Sequence, residues 1–180
     1  MPRNRNMMNI FQQLIQDNEL KKVMDEAGLI LEDLGPFGGW QNGIGDLKST
    51  EGYKVNVNTA TSLRVTGVPV TIPLEIPLEA GWNIISWPAT SEQDGLTVFQ
   101  QLITSNILKK VMDEAGKAIE DWGPFGGWQN EIGNLKPGEG YKINVATPCT
   151  LTISDNEAES FAAGNEPAPL FFYKPVLLKP

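Results

Sequence analysis

"FQQLIQDNELKKVMDEAG" (Phe11–Gly28) returns as "FQQLITSNILKKVMDEAG" (Phe99–Gly116), and the offset of 88 residues between them decides how the rest of the chain is read. The match continues through "GPFGGWQN" at Gly35–Asn42 and Gly123–Asn130, then through "EGYKVNV" and "EGYKINV". From Phe11 to Asn58, 35 of 48 positions are identical to their counterparts, so both halves are expected to share one backbone. At that identity an unchanged loop of eight residues is no separate sign of binding.

Working outward, the second copy begins earlier than the first. "GWNIISWP" (Gly81–Pro88) is a β-rich apolar run behind a glycine, and Ser91 with Asp94 three residues on reads as a helix start. The first copy offers only "PRNRNMMNI", which matches the helix entrance, so its opening strand is missing. At the far end the same offset lays "PLFFYKPV" (Pro169–Val176) on the place that "GWNIISWP" would hold in a third copy. This segment is expected to fill the empty slot of the first copy or to dock on a neighbouring chain as a strand-exchanged homo-oligomer.

Within one repeat, Val98, Leu102 and Ile103 recur at helical spacing, predicting an amphipathic helix over Glu92–Thr104; Phe11, Leu14 and Ile15 repeat the stripe. "ILKKVMDEAGKAIEDW" fits two patterns. Leu108, Val111, Met112 and Ala115 suit a helix face, whereas the flanks of Ala115-Gly116 suit a hairpin, which is preferred partly for the resemblance given below. "PGEG" then turns the chain, and Tyr141, Ile143, Val145, Leu151 and Ile153 predict two antiparallel strands. The fold class is therefore α+β: two homologous β-α-β-β-loop-β-β repeats with small antiparallel sheets or half-barrels, the first lacking its opening strand. Residues 1–67 form repeat 1, 68–77 a connector whose Pro69, Pro73 and Pro77 suit an extended or edge strand, and 78–154 repeat 2. Residues 155–168 read as a linker and 169–180 as a C-terminal strand completing repeat 1.

Composition removes several chemistries. The chain of 180 residues has no His, which excludes His general bases, Ser-His and Cys-His pairs and His-liganded metals. Cys149 is the single cysteine, so no intrachain disulfide or thiolate zinc cluster forms; it reads as a small apolar strand residue. A net charge of −8 opposes nucleic acid and anionic membranes, and no apolar run is long enough to insert in a membrane. No cofactor is expected.

The string "GWNIIS", a helix, "KVMDEAGKAIEDWG", "GGWQN", "LKPGEGYKINV" and "TLTIS" resembles a tandem repeat family of large secreted or surface-attached Bacteroidetes proteins. The resemblance spans Leu78–Ser154 and, without the first strand, Phe11–Thr66. It implies an extracellular or cell-surface setting and a non-catalytic, accessory role, although this chain shows no signal peptide.

The repeated loop is the candidate site. Phe37, Trp40, Gln41 and Asn42, with Phe125, Trp128, Gln129 and Asn130, place aromatic plates beside amides, the combination that meets a sugar ring. The plainer reading makes these aromatics plugs at the end of each small core, with Trp82, Trp87 and Trp122 core residues as well. Acidic pairs at Asp25-Glu26, Glu32-Asp33, Asp113-Glu114 and Glu120-Asp121 could serve a two-carboxylate hydrolase only across a cleft; adjacent strand residues face opposite ways, so solvated hairpin charge is the expectation. The function expected is a structural or interaction module of a larger surface protein, not an enzyme, with a carbohydrate-binding module as the rival and a glycan or another surface protein as partner.

Overall fold

The computed structural model describes Pro2, residues 4–154 and residues 176–178. The linker read over 155–168 and the tail residues 169–175 lie outside the described residues. Small antiparallel sheets dominate and helices are few, an α+β composition.

The chain opens with two short helices, α1 (Met7–Ile10) and α2 (Gln12–Gln16). Four strands follow, β1 (Leu20–Met24), β2 (Ile30–Asp33), β3 (Trp40–Asn42) and β4 (Lys54–Val57), forming a sheet in the order β3-β2-β1-β4. Next come β5 (Thr61–Leu63), β6 (Leu74–Leu78), β7 (Gly81–Ser86), the two-residue β8 (Gln93–Asp94) and α3 (Gly95–Thr104). Then β9 (Leu108–Met112), β10 (Ala118–Asp121), β11 (Trp128–Asn130), β12 (Asn134–Leu135), β13 (Gly140–Val145) and β14 (Cys149–Ile153) complete the second half. Its main sheet runs β11-β10-β9-β13-β7, with β12-β8 and β14-β6 as separate pairs. The last described strand, β15 (Val176–Leu178), pairs with β5.

The segment with two readings is a hairpin in both halves, β1-β2 and β9-β10. Its helix-like spacing has a physical source. A bulge interrupts the ladder between Leu20 and Lys22, and the second half breaks at the matching place, where Leu108 pairs with Val145 and Lys110 with Asn144. One extra residue there lets Leu108 and Val111, three apart, both face the core, as Leu20 and Val23 do.

Helix α3 starts three residues later than the sequence predicts. Gln93 is drawn into β8 opposite Leu135, and its side-chain amide donates to the Ser154 carbonyl oxygen at 2.9 Å. Asp94 caps instead, accepting from the Thr97 N–H at 3.0 Å. In the first half Asn6 caps Met8 and bridges to Asp46, where the second half has Asp94 opposite Asn134. The amide and the acid have thus changed places together. Both helical segments stop at an asparagine with φ of 55°, Asn18 and Asn106.

Two further expectations are corrected, and the C-terminal strand adds a third observation. The "WQN" end of the Gly-rich loop is a strand, because its backbone pairs with β2 or β10. The strands β13 and β14 do not pair with each other: β13 lies between β7 and β9, and β14 takes the connector strand β6, with Pro77 opposite Thr150 on an edge. At the C-terminus, Leu178 stands opposite Thr61 and Val176 opposite Leu63, while Leu78 stands opposite Cys149 and Ile76 opposite Leu151. With the 88-residue offset, β15 therefore holds on β5 the register of β6 on β14. Val176–Leu178 thus take the place of the connector strand, and the expectation that Pro169–Val176 fills the "GWNIIS" slot falls on residues 169–175, which lie outside the described residues.

Each half has its own core, with Met7, Phe11, Leu14, Leu20, Val23, Leu31 and Val57 in the first. The larger second core is built around Trp87, Phe99, Tyr141 and Ile143. The halves meet where the Ile84 backbone of β7 lies across the β1-β2 turn. Gly52 N–H donates to Ile84 O at 2.9 Å, Ile84 N–H donates to the Glu26 carboxylate at 2.6 Å, and Ser86 Oγ donates to Ser49 O at 2.7 Å. A groove of about 420 Å³ runs along this junction, between Asp25–Leu29 and the β6-β7 turn.

Candidate functional site

Each copy of "GPFGGWQN" folds as a 3-10 turn, Gly35–Phe37 or Gly123–Phe125, leading into the short strand β3 or β11. Gly35 and Gly39 have φ of 75° and 57°, a left-handed conformation that a side chain would strain. Backbone bonds close the loop on itself: Gly39 N–H donates to Gly35 O at 2.8 Å and Leu34 N–H to Gly39 O at 2.9 Å, with the same bonds 88 residues on.

The polar side chains are spent on that closure. Asp33 and Asp121 accept from the N–H groups of Gly35 and Gly123 at 2.9 and 2.8 Å. Gln41 donates its amide to Gly38 O at 2.7 Å, and Gln129 does the same to Gly126 O at 2.5 Å. Asn42 exchanges two bonds with Gly45, both 2.9 Å; Asn130 does so with Gly133 and also donates to Asp94 at 3.0 Å. These amides staple the loop to itself and to the neighbouring helix cap, Asn42 donating to Asn6 at 3.4 Å as Asn130 does to Asp94.

Each loop also turns a large apolar side chain to solvent. Phe37 is fully exposed and Phe125 is 95% exposed, which overturns the expectation that they plug the cores. The loop is closed by polar bonds, so it has no need of the ring inside. Trp40 and Trp128 do pack against their cores, half-buried. Beside each phenylalanine stands a second exposed apolar residue, Leu34 at 58% and Trp122 at 54%. Residue type places Trp122 in a core, but it follows the last strand residue Asp121, where the chain has already left the sheet. Its ring lies over Gly126, and its indole N–H donates to Glu120 at 3.4 Å. Trp82 is likewise half-exposed on the outward face of β7, whereas Trp87 is buried with its indole N–H on Ser91 O at 2.8 Å.

Of the carboxylates singled out, most have a structural partner. Asp25 and Asp113 close the hairpin turns by accepting from Leu29 N–H and Lys117 N–H. Glu32 and Glu120 pair across the strands with Lys22 at 3.5 Å and Lys110 at 2.6 Å. The Lys110 ammonium, helped by the Trp122 indole, holds the Glu120 carboxyl below its ordinary value. Burial pushes the Cys149 thiol up, away from nucleophilic use at neutral pH. Among the described residues no three His, Cys, Asp or Glu side chains group as metal ligands would, and no helix is long and apolar enough to cross a membrane.

The chain thus presents two hydrogen-bonded loops, each with an exposed phenylalanine and, three residues before it, a second exposed apolar side chain. Comparison with protein-family models, with curated proteins and with solved structures gave no match.

Proposed function

We propose that the protein is a non-catalytic interaction module, built of two copies of one unit and belonging to a larger secreted or cell-surface protein, whose two loop tips are its contact points. The observation that carries this reading is the full exposure of Phe37 and Phe125 on loops closed by hydrogen bonds. Covering one such ring on association contributes about 2 kcal/mol, and a loop already fixed in shape loses little entropy on binding.

The partner favoured is another polypeptide. A sugar site needs amides free to meet hydroxyl groups; Asn42 and Asn130 spend both amide ends on Gly45 and Gly133, and Gln41 and Gln129 each hold a loop carbonyl with the amide N–H. The carbohydrate-binding alternative rests on the aromatic plates alone, best at the second tip, where Trp122 stands near Phe125 in sequence. The surface setting comes from the resemblance of the repeats, and the non-catalytic reading from the absence of His and the structural employment of the acids.

A photoreactive phenylalanine analogue placed at position 37 or 125, with position 68 as an exposed apolar control, tests this on cells that display the protein. The expected result is one covalent polypeptide adduct shared by 37 and 125 and absent from 68. Identical adducts at all three positions would remove the reading. On a glycan array, binding that disappears in Phe37→Ser and Phe125→Ser would favour the carbohydrate alternative.

A further inference from the structure

The first sheet ends at β4, and among the described residues no strand pairs with its outer edge. Its counterpart β13 is covered there by β7 over six residue pairs, from Gly140 opposite Ser86 to Val145 opposite Gly81. The direction of the exposed groups follows from strand parity. Trp87 N–H donates to Glu139 O at 2.9 Å, so the odd-numbered residues of β13 and β7 exchange the bonds between these strands. Through the 88-residue offset, the N–H and C=O groups of Tyr53, Val55 and Val57 point outward from β4. The opposite edge is engaged with β1, and Asn58 N–H continues that side by donating to Glu19 O at 2.8 Å.

The open edge also leaves a mark on burial. Tyr141 and Ile143 are 1% and 0% exposed, whereas Tyr53 and Val55, at the same places in the first half, are only half-buried. The slot is one strand wide, because β15 already holds the place of β6.

We propose that the outer edge of β4 accepts a single β-strand donated by another polypeptide, with the chemistry of Gly81–Trp87. Such a strand has an extended backbone, an amide or aliphatic side chain at each alternate inward position as Asn83 and Ile85 have, and no proline among them. The chain's own β7 is not the donor. It spends one edge on β13 and meets the first half with the other at Ile84, so lending it to a second copy would break six residue pairs to make six. An unpaired edge above an apolar face gives a matching strand both backbone bonds and burial. This slot is separate from the loop tips, and neither proposal depends on the other.

The test uses the full chain and a synthetic peptide with the sequence of Gly81–Ala89, blocked at both ends, followed by calorimetry and thermal shift. A 1:1 complex and a raised melting temperature are expected. Two N-methylated peptides then read the parity. Methylation at the residue matching Ile85, whose N–H would face β4, weakens binding by about tenfold or more. At the residue matching Ile84, whose N–H faces away, it leaves affinity within about twofold. Absence of a complex, or equal affinity of the two methylated peptides, would overturn the proposal. A protein that is dimeric without peptide and becomes monomeric as the peptide binds would place a second copy in the slot and overturn it as well.

Discussion

The two halves carry nearly the same letters in unequal surroundings, and Tyr53 and Tyr141 show the consequence most directly. Each hydroxyl accepts from the lysine N–H five residues upstream, at 3.0 Å from Lys48 and 2.9 Å from Lys136. Each donates to the glutamate two residues before it, at 3.4 Å to Glu51 but 2.8 Å to Glu139. The second tyrosine is sealed under β7; the first is not. Identical sequence thus specifies the hairpin, the loop and the local hydrogen bonds, while burial depends on a covering strand that, among the described residues, pairs only in the second half.

The largest expected effect tests that inequality. Ile143→Ala should lose about 3 kcal/mol of stability by removing a fully buried side chain, and Val55→Ala at the matching place about 1 kcal/mol, both read from urea denaturation. Equal losses would mean that the edge of β4 is covered in solution.

Next in size is the junction between the halves. A Cβ on Gly52 would lie 2.6 Å from the Ile85 carbonyl oxygen and 2.7 Å from Ile84 Cγ2, and a backbone oxygen cannot swing aside. At Gly140 the nearest atom, the same oxygen, is 3.4 Å away. Gly52→Ala should therefore cost about 2 kcal/mol or part the halves, seen as two thermal transitions, whereas Gly140→Ala should cost well under 1 kcal/mol. The reverse ranking would show that the junction is not held as described.

The smallest effect is at high pH. Burial, with the Glu139 carboxylate beside it, raises the Tyr141 hydroxyl above the ordinary tyrosine value, and burial does the same more mildly at Tyr53. Only the unfolded chain then loses these protons near pH 10. Their contribution is complete below that pH and is lost as pH rises toward the folded-state values. Melting temperature should fall above about pH 10, and Tyr141→Phe should flatten that fall more than Tyr53→Phe. Equal flattening would indicate that both tyrosines are sealed alike.

Much of this architecture is legible in the sequence, and the failures have physical causes. The period shows where like elements recur, and the alternation of Tyr141, Ile143 and Val145 gives a strand at once. The bulge beside Lys109 disguises a strand as a helix, because it moves the inward positions from two apart to three. Gln93 leaves the helix through a pairing with Leu135, a partner 42 positions away that no local pattern reveals. The site suffered from the opposite fault. Residue type points aromatic side chains to the core, yet the loop's polar residues complete its closure unaided and release Phe37 and Phe125 outward.

The exchanged pair, Asn6 with Asp46 and Asp94 with Asn134, bears on how such a chain avoids confusing its own halves. A hybrid that set the helix entrance of one half against the following segment of the other would bring Asp94 to face Asp46, two like charges on neighbouring backbones, and leave Asn6 facing Asn134. Near-identical neighbours are prone to fold into one another. Two substitutions made in opposite senses keep every correct pairing intact and penalise the crossed one, so the molecule labels its halves without altering the shape of either.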